Sequence, residues 1–176
     1  MATSFVLTII GTDQPGLVEA VAHEVAEQGG SWAESRMARL AGYFAGILEV
    51  SVPAERAPAL RRALGALEAR GLRVMVEEVP EGGVPPLHYT ELKLELVGLD
   101  RPGIVRDISA GLAAIDVNVA ELSTECTSAP MSGESLFSAR ALLHLPTSRS
   151  PEELRDALEK IAADLMVDIE IEEAAE

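Results

Sequence analysis

The octapeptide Gly11-Thr12-Asp13-Gln14-Pro15-Gly16-Leu17-Val18 returns 87 residues later as Gly98-Leu99-Asp100-Arg101-Pro102-Gly103-Ile104-Val105, identical at five of eight positions. A chain of 176 residues that repeats itself at this interval is constrained to build two small units of about 80 to 90 residues, each within the usual size of a domain. The Pro/Gly-rich stretch Pro80-Glu81-Gly82-Gly83-Val84-Pro85-Pro86 has linker composition. The expected organisation is a domain at 1–79, a linker at 80–87 and a domain at 88–176.

Hydrophobic periodicity predicts the same elements in both copies. Leu92, Leu94 and Leu96 alternate with Glu91, Lys93 and Glu95, the pattern of a strand with one buried face. Phe5, Leu7 and Ile9 interleave instead with Val6, Thr8 and Ile10, so the first strand is expected to have apolar neighbours on both faces. Leu17, Val18, Val21 and Val25, like Ile104, Val105, Ile108 and Leu112, recur at helical spacing. Gly29-Gly30 closes the first helix and Asp116 the second, before a strand in each copy. Ala41-Gly42 reads as a tight turn into a strand from Tyr43 to Val52 that stops at Pro53; its counterpart runs from about Leu136 to Leu145 and stops at Pro146. Leu60, Leu64 and Leu67, matched by Leu154, Leu158 and Ile161, mark a second helix, and Leu72-Val74-Val76 and Val167-Ile169-Ile171 a last strand.

Each copy therefore reads β-α-β-β-α-β. With right-handed crossovers this order makes a ferredoxin-like α+β domain, a four-stranded antiparallel sheet with both helices on one face. Pro53 pairs with Pro146 at a shift of 93, six more than at the motifs, so the second copy carries an insertion, assigned to the turn 126–133. Such a loop is either a tolerated surface extension or a functional element.

Lys plus Arg number 14 against 29 Asp plus Glu, a formal charge of -15, whereas nucleic-acid binding depends on cations that neutralise phosphate. Direct DNA or RNA binding is disfavoured. No apolar run approaches the length of a membrane span, and no signal segment opens the chain. The single cysteine, Cys126, excludes an intramolecular disulfide, and a cytoplasmic protein is expected. His23, His88 and His144 are scattered without metal-ligand spacing, so neither a metal nor another cofactor is expected.

Chemistry is expected at the two turns. A helix N-terminus presents free N–H donors and partial positive charge to a small anion such as a carboxylate, while glycine allows close approach to the backbone. Asp13 or Asp100 could receive an ammonium, and the pair of features suits a free α-amino acid. Asn118, which starts the following strand, and its equivalent Ser31 are expected near the same end of the sheet. The competing reading is that Asp13 and Asp100 are N-caps, with proline in the first helical turn and no ligand at all.

The doubled Gly-x-Asp-[Gln/Arg]-Pro-Gly-[Leu/Ile]-Val motif within β-α-β-β-α-β repeats resembles the ACT domain, a small regulatory module in which amino acids commonly bind near this turn. A tandem pair without a catalytic domain resembles more narrowly the glycine cleavage system transcriptional repressor family, as does Ala129-Pro130-Met131-Ser132-Gly133 followed by Leu136-Phe137. That resemblance implies ligand contacts at Asp13, Gln14, Pro15, Gly16 and Ser31, and at Asp100, Arg101, Pro102, Gly103 and Asn118. Ser31 stands where ligand-binding members usually have Asn. The resemblance further implies a dimeric, amino-acid-responsive regulator, with glycine or serine as ligand, acting through a protein partner such as a transcriptional activator.

No recognised catalytic signature is present, and no enzyme is expected. ACT pairs also serve as regulatory ends of formyltetrahydrofolate deformylases, so the alternatives are a ligand-free scaffold or a regulatory subunit of an amino-acid or one-carbon metabolic enzyme. Trp32 reads as a packing anchor rather than a base-stacking platform. No cationic cluster or second cysteine would activate Cys126.

Overall fold

The computed structural model describes residues 1–80, 88–129 and 133–173; apart from Pro80, the expected linker lies outside the described residues, as do Pro130, Met131 and Ser132 of the inserted loop. The chain divides into two compact units, Met1–Pro85 and Pro86–Glu176. In the first, β1 (Ala2–Thr12), α1 (Leu17–Glu27), β2 (Ser31–Leu40), β3 (Tyr43–Pro53), α2 (Ala57–Ala66) and β4 (Leu72–Glu78) follow in order, with 3-10 turns at Ala54–Arg56 and Leu67–Arg70 flanking α2. In the second, β5 (Tyr89–Leu99), α3 (Ile104–Ala114), β6 (Asn118–Ser128), β7 (Ser135–Pro146), α4 (Pro151–Leu165) and β8 (Val167–Glu173) repeat the plan.

The sheets have strand orders β2-β3-β1-β4 and β6-β7-β5-β8, every neighbouring pair antiparallel. Alternation decides which face each strand buries. Phe5, Leu7 and Ile9 on β1 join Leu48, Val50 and Val52 on β3 with Val21 and Val25 of α1 and Leu60 and Leu64 of α2 in one core. Because these strand residues all share a face, both helices cover the same side. Phe5, Leu7 and Ile9 are wholly buried, and each contributes about 1.5 to 3 kcal/mol by leaving water. Leu92, Leu94 and Leu96 do the same with Ile108, Leu112, Leu154 and Leu158 in the second domain. These are the ferredoxin-like α+β domains that the periodicity predicts. Trp32 packs against the first core.

Two expectations about the turns are corrected. Neither aspartate caps its helix: the N-caps are Gly16 and Gly103, at φ 91° and 93°, and neither helix receives a side-chain cap. Glycine alone adopts this left-handed conformation without strain, and it leaves Asp13 and Asp100 three residues before the cap, too far back to serve it. Pro15 and Pro102 accordingly precede the cap rather than occupying the first helical turn. The inserted turn is also shorter than expected. Cys126, Thr127 and Ser128 continue β6, opposite Phe137, Leu136 and Ser135, and the hairpin is closed where the Ala129 N–H donates to the Glu134 carbonyl at 2.8 Å. In the first domain Ala41 and Gly42 both have positive φ, the requirement of a two-residue turn that follows the twist of its strands.

Candidate functional site

Each motif joins the end of a central strand to the start of a helix. At the first turn the Asp13 N–H donates to the Gly42 carbonyl at 2.9 Å, tying the motif to the β2–β3 hairpin. The Asp13 carboxylate forms an ion pair with Arg39 Nε at 2.5 Å. Gln14 Nε2 donates to the Arg70 carbonyl at 3.3 Å, linking the motif to the end of the second helical segment. These ties frame a cavity of about 270 Å³ lined by Gln14, Pro15, Gly16, Leu17, Ala20, Leu67, Arg70 and Leu72. Its floor is the start of α1, where the first backbone N–H groups have no intrahelical partner, and the Gln14 amide and Arg70 flank it. The chemistry of this lining suits an anion of small size. A Cβ built on Gly16 meets nothing within 4 Å, so its need for glycine is conformational, not steric.

The second turn has the same backbone and different side chains. The Asp100 N–H donates to the Ser135 carbonyl at 2.8 Å, as Asp13 does to Gly42, and the Ser135 hydroxyl donates to the Asp100 carboxylate at 3.4 Å. The β6 residue equivalent to Arg39 by pairing is Cys126, so no cation stands there. Arg101, in place of Gln14, has Nε and Nη2 buried and without a hydrogen-bond partner among the described residues. Buried donors left unpaired are costly unless something accepts from them. Arg106 donates to Asp107 at 2.7 Å, and this hydrogen bond, helped by the charges of Arg106 and Arg101 and opposed by desolvation, holds the Asp107 carboxyl below the usual carboxylate range.

Asp13, Gln14, Pro15 and Gly16 therefore come together, as do Asp100, Arg101, Pro102 and Gly103, but Ser31 and Asn118 do not join them. Ser31 pairs with Ser51, level with Ser4, and Asn118 pairs with His144, level with Glu91. Both lie at the opposite end of the sheet from the turns, about 30 Å away at roughly 3.3 Å per strand residue. The expectation that they share the motif's end is corrected, and topology is the reason. A helix returns the chain to the bottom of the sheet, so the next strand starts where the first one started. Ser31 instead lines a shallow depression with Met1, Ala2, Gly29, Ser51 and Glu55. Asn118 neighbours His144, which lies 3.3 Å from Glu91 and stacks on Tyr89.

Arg39, Arg70 and Leu67 belong to the first turn although the motif does not announce them. The signal for Arg39 is the Ala41-Gly42 hairpin, because β3, which pairs with β1, starts at the motif's end of the sheet and the hairpin carries the end of β2 there. Among the described residues no group of His, Cys and carboxylates could hold a metal ion, and no helix is long and apolar enough to cross a membrane.

Fold and turns together define a protein built from two copies of a small α+β module with a glycine-capped Asp-x-Pro-Gly corner. A family model for the ACT domain matches residues 3–77. An unknown protein from Galdieria sulphuraria is 30% identical, over 99% of this chain and 100% of that one, with a TM-score of 0.87. A proposed glycine cleavage system transcriptional repressor shares the fold at 17% identity, over 100% of this chain and 99% of that one, with a TM-score of 0.76. No curated protein matches the chain. Residues 3–77 thus match the ACT-domain family, and the second domain is built on the same topology.

Proposed function

We propose that this protein is a non-catalytic, amino-acid-responsive regulator that binds a small amino acid at its Asp-x-Pro-Gly turns and acts through a protein partner. The observation that carries this reading is the cavity at Gln14, Gly16 and Arg70, which combines a helix N-terminus with an amide and a cation in a space of about 270 Å³. A carboxylate accepts there from the backbone at the start of α1. Asp13, held by Arg39, fixes the turn rather than receiving the ammonium, whereas Asp100 accepts a hydroxyl and, among the described residues, pairs with no cation. Arg101 offers the second turn's unpaired donors to the carboxylate. Glycine and serine are the first ligands to test.

The net charge of -15 argues for control through a DNA-binding protein rather than through DNA itself, and the shared fold with a proposed glycine cleavage repressor makes transcriptional regulation the leading role, in the cytoplasm. Ser31 and Asn118 contribute to a ligand only if a separate domain brings them to a turn. A regulatory subunit of a one-carbon or amino-acid enzyme is the second reading. Calorimetric titration of the full chain with glycine, serine and the remaining amino acids tests the proposal, with Gln14→Ala and Asp100→Ala as controls. Saturable binding that one of these variants weakens by about ten-fold, about 1.4 kcal/mol, is the expected result. Silence across the panel, with both variants folded, overturns it in favour of a ligand-free scaffold.

A further inference from the structure

In the second domain the edge strand β6 and helix α3 leave open a gap that the first domain closes. Leu122, Thr124 and Cys126 stand 87 residues after Ser35, Met37 and Arg39. They pair with Ala141, Ala139 and Phe137, all buried, which puts this row on the helix side of the sheet. In the first domain Met37 occupies the space and packs against the core. Thr124 is shorter, and a hollow of about 30 Å³ remains between Leu122 and Thr124 of β6, Val105 and Ser109 of α3, and the floor at Phe137 and Ala139. None of the described residues lining it is charged. Leu122 and Val105, at 52% and 40% exposure, leave it open to solvent along the strand.

The same strand is an unguarded edge. β6 lies outermost in its four-stranded sheet, so alternate N–H and C=O groups along it point away from β7. It pairs regularly from Glu121 to Ser128, past a register shift between Val119 and Glu121. Its sequence holds neither lysine nor proline, the residues that commonly protect an edge.

We propose that the groove between β6 and α3 docks an extended segment of a partner protein, which joins the sheet as a fifth strand beside β6 and puts one aliphatic side chain into the hollow, between basic residues that turn to the other face. The outward backbone groups supply the strand pairing, and Met37 of the first domain shows that an aliphatic chain fills such a space. Because side chains alternate, the residues before and after the aliphatic one lie on the outer face, beside the row Glu121, Ser123 and Glu125. Behind that row β7 presents Leu136, Ser138, Arg140 and Leu142, and Arg140 donates to Glu95 at 3.2 Å. The edge row is therefore anionic, and cations on the incoming strand are its complement. The net charge of -15 draws a basic partner from a distance. A second copy of β6 fits poorly, since antiparallel pairing about Ser123 sets Glu121 and Glu125 of one copy against Glu125 and Glu121 of the other. A basic partner suits the non-catalytic role proposed above, on which this assignment rests, and requires no amino acid at the turns.

Fluorescence anisotropy of a labelled peptide of alternating lysine and leucine, titrated with the full chain, tests the assignment. Saturable binding is expected, weakened at least about ten-fold by alanine in place of the peptide's leucines, by methylation of its alternate backbone nitrogens, and by each of the variants Glu125→Lys and Thr124→Met/Ala139→Gly. The double variant rebuilds the first domain's arrangement of Met37 over Gly46 and so fills the hollow, and Glu125→Lys changes an exposed side chain, so circular dichroism should be unchanged in both. Absence of saturation up to about 1 mM protein would overturn the proposal. Binding that survives both the filled hollow and the methylated peptide would reduce the contact to charge attraction and overturn it as well. So would a wild type that self-associates in sedimentation equilibrium and is dissociated by Glu125→Lys, which would give the edge to a second copy. Amino-acid titration of the turns is read separately, so either proposal can fail alone.

Discussion

The first domain leaves an apolar sheet face bare and fills the space under its edge strand, whereas the second has a charged sheet face and a hollow under the equivalent strand. In the first, Met37 and Trp32 of β2 pack against the core, and Gly46 of β3 leaves room for them because a Cβ there would come within 2.5 Å of both the Arg36 carbonyl and the Met37 side chain. In the second, the equivalents by pairing are Thr124 and Ala139, and Thr124, Leu122, Val105 and Ala139 line a small apolar pocket. Positions that point at the helices stay apolar in both copies, Phe5 with Leu92, Leu7 with Leu94 and Ile9 with Leu96, while the outward positions between them diverge. The difference teaches that folding constrains one face of each strand and leaves the other face, the turn side chains and the edge free to be specialised.

The most severe way to break the equivalence is in the cores. Leu94→Ala, at a residue 2% exposed, is expected to cost about 2 to 5 kcal/mol, and Leu7→Ala about the same. Urea titrations of the two variants should show matching losses, and a much smaller loss in either would mean that one sheet is less tightly packed than its burial indicates. Next in size are the left-handed glycines. Gly16→Ala and Gly103→Ala are each expected to lower stability by about 1 to 2 kcal/mol, with Gly103→Ala the larger because its Cβ also meets the Arg106 guanidinium at 3.0 Å. Equal thermal shifts would show that Arg106 moves aside without cost.

A third prediction uses a cap present in one domain only. The Ser150 hydroxyl accepts from the Glu153 N–H at 3.2 Å, and the Glu153 carboxylate accepts from the Ser150 N–H at 3.0 Å, whereas the segment before α2 begins at Pro53 with no side-chain cap. Ser150→Ala should cost about 1 kcal/mol, read from the denaturation midpoint. The smallest effect is a pH dependence. Asp107 has its carboxyl held down by the hydrogen bond from Arg106, so it adds stability that is complete above the unfolded carboxyl pKa of about 3.9 and is lost as pH falls through the lower folded value. Asp107→Asn should therefore be slightly less stable than wild type at neutral pH and equal to it in strong acid, checked by urea midpoints at both. A deficit that persists in acid would assign the effect to packing instead of charge.

The duplicated fold was legible because strand and helix periods are written in the buried residues themselves. Leu92, Leu94 and Leu96 alternate without exception, and Val21 and Val25 recur at one helical turn. The turn was legible as a place but not as a set of contacts. Asp13 looks like a cap by residue type, yet Gly16 takes the cap through its backbone angle, which no spacing of polar residues encodes. Ser31 and Asn118 are close to the motif in the repeat and far from it in space, because the helix between them carries the chain back to the opposite end of the sheet. Cys126 to Ser128 read as loop from their polarity, whereas an edge strand paired on one side tolerates polar residues on both faces. Arg39 and Arg70 reach the first turn only through pairings made elsewhere.

The most direct test of amino-acid recognition at the turns is a titration of the ¹⁵N-labelled full chain with glycine and then serine, followed by amide chemical shifts. Saturable movement of the Leu17, Val18 and Glu19 amides with those of Arg70, Gly71 and Leu72, together with or without the matching amides after Gly103, is the predicted result. Spectra that do not change, or changes centred on Ser31 and Asn118 at the far ends of the sheets while the turns stay still, would contradict the account.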